Sequence, residues 1–196
     1  TLAGCPMSMV PAVSDVAISP DPAVASDTLQ CGYAVVDNDG GADLSSLQWT
    51  VNGEPVQESA DQLSGLFVGG DAGGCTVTPR DGSTTGTPES ARIVITNSAP
   101  EAADVAITPS EAYADDVLSC TYRFVDADQN TDVSTISWAV NGVTNEAMGP
   151  SLSGAFSGGD QVSCTVTPSD DQSVGLAQVS PSITIANSAP TVSDAV

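Results

Sequence analysis

Aspartate is the side chain with the most chemical potential in this sequence. One group reads Asp37-Asn-Asp39 followed by Asp43, and a second reads Asp126-Ala-Asp128 followed by Asp132. Asp81 trails the first group, and Asp170 and Asp171 trail the second. Closely spaced carboxylates on irregular chain offer the several hard oxygen ligands that calcium takes. All nine are therefore candidate calcium ligands. Their spacing lacks the central glycine and terminal glutamate of an EF-hand loop, so any such site is of another kind. The competing reading is that they are turn formers, because aspartate tolerates turn geometry and hydrogen-bonds its own backbone.

Other chemistry is poorly supplied. The chain holds 25 Asp and Glu against three Arg, with no Lys and no His, for a net charge of −22. Without His or Lys the commonest general bases and the Ser-His triad are excluded. A pair of acids can hydrolyse a glycoside, but these acids are spread over two near-copies of one stretch, which argues against a single cleft. No enzyme is expected. Nucleic acid is excluded as a partner because phosphate neutralisation needs Lys and Arg. Anionic membrane surfaces are disfavoured for the same reason, and no apolar run is long enough to span a bilayer. Cations are the natural partners of such a surface, and no cofactor other than calcium is implied.

Five cysteines are present, with no C-x-x-C pair, which argues against zinc and redox motifs. Cys31 and Cys75 stand at the same separation as Cys120 and Cys164. Two intradomain disulfides are the economical reading, and they place the protein in an oxidising, extracellular compartment. Cys5 is left over. Leu2-Ala3-Gly4-Cys5 resembles a bacterial lipobox, so Cys5 is expected to be either lipidated or bridged to another domain or chain, with the bridge preferred.

These residues belong to a duplicated unit. Pro11–Pro79 align with Pro100–Pro168 without a gap, and 33 of the 69 positions are identical. A single-residue insertion follows, after which Ile93 and Ile95 match Ile183 and Ile185. The expected organisation is an extension over 1–10, domains over 11–97 and 98–187, and a segment 188–196 that restarts the repeat. That last segment is read either as the start of a third repeat or as an inter-subunit strand. Within a unit the pattern is all strand. Leu29, Cys31, Tyr33 and Val35 alternate, as do Leu47, Trp49 and Val51, and Asn52-Gly53 is a two-residue hairpin turn. Leu63, Gly65 and Phe67 predict a short strand. No window shows a capped helical period.

Short strands, frequent turns and the order Cys…Trp…Cys predict an all-β chain of two tandem immunoglobulin-like β-sandwiches, the tryptophan packing on an intersheet disulfide. Asp71 and Asp160 stand four residues before the second cysteine, as in the usual corner motif. No tyrosine lies between either of them and that cysteine, so the corner bond must be missing or made differently. In this fold the loops after the first and before the last core strands share the domain's N-terminal end. The acidic groups are therefore expected to gather there.

The Asp-x-Asp, the Trp-x-Val-Asn-Gly hairpin, the Thr-Val-Thr-Pro strand and the Asn-Ser-Ala-Pro linker resemble tandem immunoglobulin-like modules of bacterial secreted and cell-surface proteins. A looser similarity is to cadherin repeats, which implies calcium at the joint between modules. The resemblance implies a non-enzymatic segment of a surface stalk or fibre. Two alternatives stand beside it: a self-assembling, pilus-like filament subunit that exchanges a terminal strand, and an adhesin for glycan or protein. The expected partners are accordingly adjacent repeats, further copies of the chain, or an extracellular protein or glycan.

Overall fold

The computed structural model describes residues 9–38, 40, 42–57 and 60–189. The chain divides into two compact units, Thr1–Ser98 and Ala99–Val196. Cys5, Asp39 and, of the expected segment 188–196, residues 190–196 lie outside the described residues.

Each unit is a sandwich of two sheets. In unit 1 the strands are β1 (Ala12–Ser19), β2 (Ala23–Val24), β3 (Thr28–Val36), β4 (Ser46–Val51), β5 (Glu54–Pro55), β6 (Gln62–Ser64), β7 (Ala72–Thr78) and β8 (Glu89–Thr96). One sheet runs β1-β3-β6 and the other β2-β8-β7-β4-β5. The chain changes sheets early. β1 pairs antiparallel with β3, and after Pro20-Asp21-Pro22, which interrupts the ladder, β2 pairs parallel with β8. Proline has no N–H to give a ladder, so the crossing falls there.

Unit 2 repeats the plan with β9 (Glu101–Thr108), β10 (Leu118–Val125), β11 (Thr135–Val140), β12 (Val143–Met148), β13 (Ser151–Leu152), β14 (Gln161–Thr167), β15 (Gln178–Val179) and β16 (Ile183–Thr184). Its sheets are β13-β10-β9 and β12-β11-β14-β15, with β16 also on β14. The topology is immunoglobulin-like in both units.

The alternation in the sequence becomes the core. Leu29 and Cys31 on β3 meet Trp49, Cys75, Val77, Ile93 and Ile95 of the facing sheet. Leu118, Cys120, Trp138, Cys164, Val166 and Ile185 do the same in unit 2. The disulfides Cys31–Cys75 and Cys120–Cys164 join the sheets, with Cα separations of 6.4 and 6.2 Å. Trp49 lies opposite Cys75 and Trp138 opposite Cys164 across the ladder. The indole N–H groups are satisfied by the carbonyls of Ala60 at 3.0 Å and Gly149 at 2.9 Å, as a buried tryptophan requires.

Three details depart from the simple pattern. The strand expected over Leu63–Phe67 ends at Ser64, because Gly65 turns into the left-handed region at φ 68°. Phe67 reaches the core from beyond it. The first strand of each unit carries a bulge at Asp15 or Asp104, with φ 56° and 57°. Finally, the inserted residue of repeat 2 splits the last strand. β8 is continuous, whereas β15 and β16 are separated by Ser180-Pro181-Ser182. Ser180 closes the gap on one side. Its N–H donates to Cys164 O at 2.9 Å, and its hydroxyl accepts from Cys164 N at 3.1 Å.

Candidate functional site

The acidic loops do meet the last hairpin at the N-terminal end of each domain. Leu44 N donates to Arg80 O and Val133 N to Ser169 O, both at 2.9 Å. Those hairpins in turn lie on the domain's first residue. A β-carbon on Gly86 would stand 2.0 Å from Pro11 O, and one on Gly175 would stand 1.8 Å from Pro100 O. Glycine is the residue that permits such an approach.

What the carboxylates do there is local. Asp126 accepts from Asp128 N at 3.1 Å and Asn130 N at 2.7 Å. Asp132 accepts from Tyr122 Oη at 2.8 Å and Ser134 N at 2.9 Å. Asp43 accepts from Ser45 N at 2.9 Å. Asp81 gathers the N–H and hydroxyl of both Ser83 and Thr84. Asp170, 3% exposed, does the same with Gln172 N, Ser173 N and the Ser173 hydroxyl. Asp171 is exposed at φ 71°. Asp37 is half-buried, and Asp128 is 5% exposed. Among the described residues no three acidic or cysteine side chains come together as a metal-holding group. Of the expected set, the eight described carboxylates lie on these loops, and no three of them form such a group.

These bonds tune the ionisation. Asp43 is held below the usual carboxylate range by its contact with Ser45, and Asp81 far below it by the backbone N–H groups of Thr84 and Ser83. Burial pushes Asp132 up, but the Ser134 and Tyr122 hydrogen bonds outweigh it and the net shift is downward. Tyr33 and Tyr122 are raised, first by burial and then by Asp43 and Asp132 respectively.

In place of a tyrosine corner, each repeat holds the aspartate before its second cysteine with an asparagine. Asn52 of the hairpin turn donates from Nδ2 to Asp71 Oδ1 at 2.7 Å, and its Oδ1 accepts from Ala72 N at 3.0 Å. Asp71 also accepts from Val68 N at 2.8 Å. Repeat 2 has the same set: Asn141 Nδ2 to Asp160 at 2.8 Å, Gln161 N to Asn141 Oδ1 at 3.0 Å, and Ser157 N to Asp160 at 2.8 Å. This Asn–Asp clamp ties the hairpin turn to the start of the strand that carries the second cysteine. It was absent from the sequence expectations. The signal available was the shared separation of 19 residues between each Asn and its Asp.

One surface distinguishes the repeats. Val174, Leu176 and Val179 are 65%, 84% and 61% exposed, whereas the aligned positions of repeat 1 are Thr85, Thr87 and Ser90. Leu176 also lines a groove of about 360 Å³ with Ala99–Ala102, Gly175 and Gln178.

Fold and loops together define a pair of disulfide-stapled immunoglobulin-like sandwiches with internally satisfied acidic turns. No protein-family profile matches the chain, and no curated protein matches it. Among solved structures it is similar to the three N-terminal domains of the bacteriophage RB49 Highly Immunogenic Outer Capsid protein (Hoc). The identity is 16% and the TM-score 0.33, over 87% of this chain and 58% of that one. This chain therefore spans a little over half of that structure.

Proposed function

We propose that the chain is a segment of a non-enzymatic, extracellular stalk or fibre, in which each repeat is a structural spacer. The observation that carries this reading is what the two repeats share. The residues common to both are framework: the staple, the tryptophan, the clamped Asn-Gly turn, the glycine seated on the first proline, and turn-closing aspartates. A duplicated framework without a duplicated reactive cluster is what a spacer needs. The fold does not depend on calcium in this reading, because Asp43, Asp81, Asp126, Asp132 and Asp170 already accept hydrogen bonds from neighbouring groups. Secretion or surface display follows from the two disulfides.

A second reading, an assembling or adhesive subunit, is favoured by one observation, the apolar strip of repeat 2. Val174, Leu176 and Val179 stand exposed where repeat 1 has Thr85, Thr87 and Ser90. Sedimentation over a wide concentration range, with electron microscopy of the same samples, separates the two. The spacer reading predicts a monomer and no fibres at every concentration. Polymers that form in the parent and vanish in Leu176→Asp would replace it with the second reading.

A further inference from the structure

Both repeats place an Asn-Gly dipeptide at an exposed two-residue turn, with Asn52 at φ 54° and Asn141 at φ 51°. Asn-Gly is the sequence most prone to spontaneous deamidation, since glycine offers no side chain to hinder its own nitrogen. Gly53 N loses its proton and bonds to Asn52 Cγ. The Cγ–Nδ2 bond breaks and ammonia leaves. Water then opens the cyclic imide at either carbonyl to leave aspartate or isoaspartate. Net, one water is consumed and one ammonia released, with no oxidant or reductant.

Attack requires the side-chain amide to swing onto the following nitrogen. Here both of its polar atoms are held. Nδ2 of Asn52 is on Asp71 at 2.7 Å and Oδ1 on Ala72 N at 3.0 Å, while the backbone N of Asn52 donates to Ala72 O at 2.9 Å. Asn141 is held identically, its backbone N donating to Gln161 O at 2.7 Å. The turns are open to solvent, so water has access and the hydrogen bonds are the restraint. We propose that Asn52 and Asn141 are latent deamidation sites, each kept shut by the carboxylate of Asp71 or Asp160, and that their conversion unclamps the corner.

The consequence follows from charge. Conversion removes the donor and leaves a second carboxylate against the first, an arrangement in which both cannot comfortably ionise. The folded state of the product is then weakened most at neutral pH and recovers on acidification. Asp160 already sits below the usual carboxylate range because of Asn141 and then Ser157 N–H, and the first of these supports is lost on conversion.

The test is peptide mass mapping of the full chain during incubation at mildly alkaline pH. The samples are the folded parent, the parent reduced in urea, and folded Asp71→Ala. The unfolded parent should deamidate at both sites, and the folded parent far more slowly. Asp71→Ala should speed Asn52 about tenfold, the factor for losing one charge-assisted hydrogen bond, and leave Asn141 at the parental rate. Equal rates at the two sites in folded Asp71→Ala would overturn the proposal. So would a folded parent that deamidates as fast as the unfolded one, a comparison that holds even if the variant does not fold.

Discussion

Asp81 and Asp170 show how much of the negative charge is structural. Each gathers N–H and hydroxyl groups of the residues two and three places on, which is how aspartate closes a turn. Asp43, Asp81, Asp132 and Asp160 all lie below their ordinary pKa in the folded state. A depressed folded pKa contributes stability above the unfolded value and loses it as pH falls through the folded one. Stability should therefore be level from neutrality down to about pH 4, the unfolded aspartate value, and fall below that. Tyr33 and Tyr122 are raised, so they add stability that is lost as pH rises past about 10 and through their folded values. Thermal unfolding across pH checks this. Because the carboxylates serve their own loops, the curve should be the same in chelator and in excess calcium. A calcium-dependent rise in melting temperature would show that they also serve an ion.

The elements meet at two joints in each sandwich, and both are glycine- or turn-dependent. The last hairpin rests on the first proline carbonyl through Gly86 or Gly175. Alanine at either position forces a backbone displacement rather than a side-chain adjustment. Gly175→Ala should cost about 1–3 kcal/mol, the usual range for overpacking, measured by urea unfolding. Gly154→Ala would be a poor control, since its strain comes from φ 67°. Gly32→Ala, with open space around its β-carbon, is a better one. The strands themselves were legible, because Leu29, Cys31, Trp49 and Val77 alternate with smaller or polar residues and Asn52-Gly53 admits one turn type. The joints were not. Gly175 looks like any loop glycine until Pro100 is brought across the fold, and Asn52 reads as a turn residue until Asp71 arrives beside it. Topology brings the acidic loops beside the last hairpin, where Leu44 N meets Arg80 O and Val133 N meets Ser169 O. What their carboxylates bind depends on bond directions that spacing does not encode.

At the scale of the molecule, the staples set how each repeat yields. Each disulfide closes a span of 44 residues, worth roughly 4 kcal/mol in the loop-entropy account. The bridges join the two sheets of each sandwich, and the proposed spacer role asks them to resist extension. Single-molecule stretching from the termini tests the structural reading most directly. Two discrete unfolding events are predicted, one for each sandwich, with the disulfide-locked chain withheld from both. Reduction should lengthen each event by about 150 Å, the 44 spanned residues at ~3.5 Å each. It should also lower the force at which each occurs. Gradual extension without two events, or lengths unchanged by reduction, would contradict a pair of stapled structural modules.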